Sequence, residues 1–154
     1  MSNVKNVLVL GSSGVGKENW MRNLTGQSFQ PQYVPLENVH QQNITHGGVI
    51  LDICIVPGQM PYLTEQCITI HQPDCILIFV DVTSRLSNKK GMKWKRMMEN
   101  RNIPVHIVYN KMDVQGYGNK LDEMVESLPI SEYSVISGRF GTNVCSPLSF
   151  CANV

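Results

Sequence analysis

The sequence predicts an α/β fold, a largely parallel sheet with helices on both faces and a phosphate-binding loop at the end of its first strand. Three observations predict it. Apolar runs of strand length recur at Val7–Leu10, Val49–Val56, Ile76–Val82, Val105–Tyr109 and Tyr133–Ile136. Polar or amphipathic segments of helical length separate most of them, and strands that alternate with helices imply right-handed crossovers and a sheet covered on both faces. Between the first run and a helical segment, Glu18 to Leu24, stands Gly11-Ser12-Ser13-Gly14-Val15-Gly16-Lys17-Glu18, the strand, glycine loop and helix of a phosphate cradle.

The 154 residues suit one domain with a single core. Lys and Arg number 13 against 12 Asp and Glu, a formal charge of +1, which offers no electrostatic case for nucleic acid or an anionic membrane. No apolar run approaches the ~20 residues of a membrane helix. The first residues lead straight into a strand, and no signal peptide is expected. Five cysteines lack metal or redox spacing, and Cys54 and Cys75 sit inside apolar runs. A reduced, intracellular protein of cytoplasm or nucleus is expected.

Taken in order, Thr25 to Leu36 reads as an exposed loop with Phe29 and Tyr33 conspicuous in it. Asn38 to Ile44 and Val49 to Val56, joined through His46-Gly47-Gly48, read as an antiparallel hairpin. Tyr62 to Ile70 is a weak helix, and Ile76 to Asp81 a buried strand leaving through Val82-Thr83-Ser84-Arg85. Lys89 to Asn102 suits an amphipathic helix whose Met92, Trp94, Met97 and Met98 face the core. A short last helix is expected within Asn143 to Ala152, limited by Pro147.

Two motifs carry chemistry. In the loop, Gly11, Gly14 and Gly16 free the backbone to bring N–H groups to phosphate oxygens, and the helix start adds its own. Lys17 is placed to reach the outer phosphates. The last position of the pattern calls for a hydroxyl on Mg²⁺ and holds Glu18 instead. The competing reading, a glycine turn that merely caps a helix, leaves the lysine and both outer glycines unexplained. The second motif, Asn110-Lys111-Met112-Asp113, follows an apolar strand. A carboxylate at Asp113 accepts two adjacent hydrogen bonds, which guanine offers and adenine does not. Asn110 holds the loop, and the Lys111 stem lies over the ring. The competing reading is an ordinary strand-exit turn.

With both motifs in place, the chain resembles the Ras superfamily of small GTPases, and within it most closely the Ran branch. Leu24-Thr25-Gly26 with Phe29, Tyr33-Val34, Val39-His40, Asp81 to Arg85, Trp94 with Arg96, and Asn102-Ile103-Pro104 carry the likeness. The resemblance implies a P-loop NTPase G domain of six strands and five helices that binds GTP or GDP. It implies a nucleotide site of Gly11, Ser13, Gly14, Val15, Gly16, Lys17, Glu18 and Asn19 around the phosphates, Gly58 near the γ-phosphate and Phe29 stacked on guanine. Asn110, Lys111 and Asp113 would read the base, helped by Ser137 and Gly138. Gln59 matches the glutamine that orients the attacking water.

The departures share one ligand. The family holds Mg²⁺ through a P-loop hydroxyl, a first-switch threonine and an aspartate. Here those places fall on Glu18, on Tyr33-Val34-Pro35-Leu36-Glu37 without a threonine, and on Ile55. No metal ligand is assigned, and hydrolysis is expected to be very slow or absent. Glu18 either turns to solvent or ligates a cation itself. Two readings follow: a nucleotide-binding G protein with weakened turnover, or a pseudo-GTPase, an interaction module competing for effectors and regulators of Ran or Ras proteins. Reduced copies of this kind resemble host-derived genes of large DNA viruses. Cys151-Ala152-Asn153-Val154 superficially fits a prenylation signal, but a structural thiol in the last helix and no membrane anchor are expected.

Overall fold

The computed structural model describes residues 3–28, 38–59, 62–111, 118–126, 128–129 and 132–154. In chain order these form β1 (Val4–Gly11), α1 (Lys17–Leu24), β2 (His40–His46), β3 (Val49–Ile55), α2 (Leu63–His71) and β4 (Cys75–Asp81). They continue as α3 (Arg85–Glu99), β5 (Val105–Asn110), α4 (Gly118–Val125), β6 (Tyr133–Val135) and α5 (Ser146–Ala152). Six strands form one sheet in the order β2-β3-β1-β4-β5-β6. Only β2 runs antiparallel, to β3; every other pair is parallel. This is the G-domain architecture of a P-loop NTPase.

Side chains alternate faces along a strand, and both faces are buried. Val7 and Val9 of β1, with Leu77 and Phe79 of β4, pack under Trp20 and Met21 of α1 and Leu148 and Cys151 of α5. Leu8, Leu10, Ile76 and Ile78 point the other way, toward Cys67 of α2 and Met98 of α3. Trp20 ties α1 across the chain, donating its indole N–H to Val144 O at 2.9 Å and meeting Phe79 edge to face at 5.1 Å. Cys151 is fully buried. Its contact with the Cys75 thiol, together with burial, pushes its pKa up. No helix of the described residues is long and apolar enough to cross a membrane.

Element bounds move where local chemistry decides them. The hairpin turns through Gly47 and Gly48 at φ 58° and 79°, the left-handed pair a two-residue loop requires; His46 therefore belongs to β2. α3 begins four residues before the expected Lys89, because Ser84 caps it by accepting from Ser87 N at 3.1 Å. Its methionine and tryptophan positions divide. Met98 is buried, Met92 and Trp94 pack partly against the core, and Met97 stays 39% exposed. That corrects the core-facing expectation for Met97, which lies on the outer side of the helix. α5 is shorter than expected, with Pro147 in its first turn, where a missing N–H costs nothing.

Candidate functional site

The chain turns to opposite sides of the sheet from β1 and β4, and their carboxyl ends open the crevice where ligands of such sheets bind. The loop of residues 11–16 leaves β1 there. Gly14 and Gly16 take φ values of 78° and 96°, a region forbidding to a side chain. Gly16 is also the residue before α1, and no side chain caps that helix. The N-terminus of such a helix is a place where an anion can bind.

Lys17 is 2% exposed. Its Nζ donates to Gly11 O at 2.5 Å and to Ser12 O at 3.4 Å. Burial pushes its pKa down to about 8, and the neighbouring Glu18 carboxylate pulls it partly back. A buried cation tied to two carbonyls of the phosphate loop is suited to a phosphate partner. The Ser12 hydroxyl is buried without a partner among the described residues, a further donor facing the same loop.

β5 brings the second motif to this loop. Asn110, 2% exposed, donates from Nδ2 to Val15 O at 2.9 Å. Its Oδ1 accepts from Lys111 N at 2.8 Å and from Gly138 N at 3.1 Å. One amide thus joins the phosphate loop, the base loop and the loop after β6. A Cβ on Gly16 would fall 2.2 Å from Asn110 Nδ2, so a side chain at Gly16 would displace the Asn110 amide from its bonds. Lys111 donates to Gly14 O at 2.6 Å and sits at φ 70°, a costly conformation for lysine. Its ion pair with Asp81 at 3.0 Å helps hold it, with Asp81 in turn bonded to Thr83 N and Oγ1 at 2.8 and 2.6 Å. Asp81 was not among the expected site residues. Its signal is register, since Asp81 lies directly opposite Asn110 in the β4–β5 pair.

The loop after β3 closes the other side. A Cβ on Gly58 would lie 2.4 Å from Ser13 N and 2.6 Å from Ser12 C. Backbone rests on backbone, and only glycine fits. We expect Gly58→Ala to force the 58–59 turn away from the phosphate loop at a cost of about 1–3 kcal/mol. Thermal melting tests it, and an unchanged midpoint would show that the close approach is dispensable. Gln59, Gly58, Ser12 and Ser13 share a cavity of about 500 Å³ with the start of α3. Ser137 is buried, and its Oγ accepts from Phe140 N at 3.3 Å, bracing the loop that presents Gly138.

The structure therefore gathers Gly11, Ser13, Gly14, Val15, Gly16, Lys17, Gly58, Gln59, Asn110, Lys111, Ser137 and Gly138 at one end of the sheet. Glu18 and Asn19 are half-buried in the first turn of α1. Phe29, Asp113 and the expected first switch lie outside the described residues.

Of the three places where the resemblance calls for a metal ligand, Glu18 and Ile55 lie among the described residues. Ile55 is fully buried in the core and offers no oxygen. No group of three or more His, Cys, Asp or Glu that would hold a metal occurs among the described residues. Glu18 stands alone.

Compared with models of known protein families, the sequence matches the Ras family over residues 6–139. The match takes in the phosphate loop, Gly58-Gln59, the base motif and Ser137-Gly138. This chain belongs to the Ras family and is a small GTP-binding protein.

Proposed function

We propose that this protein is a Ran-like G protein that binds GTP or GDP without a resident Mg²⁺ and hydrolyses GTP very slowly or not at all. One observation carries the reading: Asn110 and Lys111 hold the backbone of the phosphate loop at Val15 and Gly14, while the metal positions carry Glu18 and the buried Ile55. Asn110 and Lys111 thus support a joined base and phosphate frame, and Ile55 offers a metal no oxygen. Without a divalent cation, charge developing between the β- and γ-phosphates goes uncompensated, and positioning a water at Gln59 recovers little of that loss. A carboxylate about 4 Å from a phosphate charge costs roughly 4 kcal/mol at an effective dielectric near 20. Lys17, two atoms of backbone away in sequence and pulled up in pKa by Glu18, screens part of it. The reading extends to an intracellular protein whose partners are effectors or regulators of the Ran or Ras type.

Titration of a fluorescent GDP or GTP analogue into nucleotide-stripped protein, with Mg²⁺ and with EDTA, tests this. Affinities equal within about threefold are expected, weakened at least tenfold by Asp113→Ala through loss of two hydrogen bonds. Binding abolished by EDTA would make Glu18 a metal ligand and overturn metal independence. No binding up to millimolar nucleotide would leave the second reading, a pseudo-GTPase that keeps the fold as an interaction module. Glu18 and Ile55 are the observations that favour it.

A further inference from the structure

The near-neutral total charge conceals a segregation. Residues 85–101 hold seven of the chain's 13 Lys and Arg and only one acid, Glu99, a local charge of +6; the rest of the chain carries −5. Most of this charge lies on α3, whose orientation is set by close packing. Ser87, Gly91 and Met98 are its buried residues, and a Cβ on Gly91 would fall 2.9 Å from Val80 Cγ2, so the helix lies tight on the sheet along that side. At 3.6 residues per turn, Arg85, Lys89, Lys93 and Arg96 share one stripe on the opposite side, within an arc of about 80°. Leu86, Met97 and Lys90 continue the same exposed face. Leu86 is 61% exposed.

Cations at the margin are neutralised: Lys95 pairs with Glu99 and Glu132, and Arg101 with Glu65. Arg85, Lys89, Lys90, Lys93 and Arg96 form no ion pair with any described residue. Glu123 of α4 borders the face beside Arg85 and Asn88 without pairing. Five exposed cations on one helix, spaced over about 16 Å around two exposed apolar side chains, form a charged surface with no ion-pair partner among the described residues.

We propose that this face of α3 docks an acidic segment of another protein, its carboxylates meeting Arg85, Lys89, Lys93 and Arg96 and its apolar side chains covering Leu86 and Met97. The chemistry favours protein over other polyanions. A phosphodiester backbone offers nothing to Leu86 and Met97, and no exposed aromatic ring stands among these cations to stack on a base. An anionic membrane would attract the helix but repel the −5 carried elsewhere, and two apolar side chains bury little in lipid. Screening confines the field to about 8 Å at physiological salt, the range of a contact surface. This inference does not depend on nucleotide binding.

A fluorescein-labelled 20-residue peptide of repeating Glu-Glu-Leu-Glu units, followed by anisotropy at 50 and 300 mM NaCl, tests it on the full chain. Binding at 50 mM is expected, weakened about tenfold at 300 mM and at least tenfold by the combined Lys89→Glu, Lys93→Glu and Arg96→Glu changes. Leu86→Ser with Met97→Ser should weaken it about threefold. Lys89→Gln with Lys93→Gln serves if the charge-reversed variant fails to fold, with a smaller loss of about fivefold. The proposal is overturned if the peptide does not bind, if the charge changes leave affinity unaltered, or if an all-glutamate peptide binds as well. It is also overturned if phosphatidylserine vesicles or a 20-nucleotide RNA bind more tightly than the peptide.

Discussion

Asn110→Ala is expected to destabilise the protein by about 3–4 kcal/mol and to lower guanine-nucleotide affinity at least a hundredfold. The buried amide satisfies Val15 O, Lys111 N and Gly138 N at once, and alanine leaves all three without it. A buried polar group left unmatched costs about 1–3 kcal/mol. Some of that is recovered as Lys111 N, at the protein edge, finds water. The nucleotide effect exceeds the stability effect because Asn110 is the buried one of the two side chains that tie the base loop to the phosphate loop, the other being Lys111 through Gly14 O. With it gone, Lys111 loses the contact that helps hold its left-handed backbone, and only the Lys111 bond to Gly14 O still ties the base loop to the phosphate loop. Urea denaturation and the analogue titration measure the two effects. Loss of less than 1 kcal/mol with nucleotide affinity intact would mean that the loops are joined by something other than Asn110.

Lys17→Met is expected to do the opposite to stability while abolishing phosphate binding. Burial depresses the Lys17 pKa from its ordinary 10.5 to about 8, so the nucleotide-free fold carries a penalty of up to about 3 kcal/mol at neutral pH. The sign follows from proton counting. Between pH 8 and 10.5 the unfolded chain holds a proton that the folded chain has released, so stability rises with pH through that window. Below pH 8 both states hold it and the penalty is constant. Methionine fills the same channel without charge. It forfeits the hydrogen bonds to Gly11 O and Ser12 O, worth about 1 kcal/mol each. The net gain is about 1 kcal/mol, or roughly 2–4 °C in melting temperature for a domain of this size. Most buried substitutions lower it. Wild type should also be stabilised by millimolar pyrophosphate, and Lys17→Met should not. A lower melting temperature for Lys17→Met, with no rise in wild-type stability between pH 8 and 10, would show that the ammonium is not strained in the free protein.

Much of the frame is legible in residue order because the sheet is covered on both faces. Strands β1, β4 and β5 read as unbroken apolar runs, since both alternating sets of side chains are buried. The phosphate loop and the Asn110 motif are legible for a different reason. Their residue types are dictated by backbone geometry and hydrogen-bonding valence at short range, and these leave few substitutes. Less legible were the ends of elements. α3 starts at Arg85 through a serine cap, and its first turn, Arg85-Leu86-Ser87-Asn88, shows no apolar period to announce a helix.

By itself, then, the sequence determined the fold class, the two motifs and the replacement of a hydroxyl by Glu18 in the phosphate-loop pattern, because each depends on local pattern or on the chemistry of one side chain. Tertiary structure alone decided what those residues are joined to. The opposition of Asp81 and Asn110 is a matter of strand register, and the need for glycine at Gly16 and Gly58 comes from loops more than forty residues away in sequence. The lowered pKa of Lys17 comes from burial, which exists only once folding excludes water around it. The same holds for α3: a total charge of +1 is a sum over residues, whereas a docking surface depends on which of those charges the packed helix leaves facing solvent.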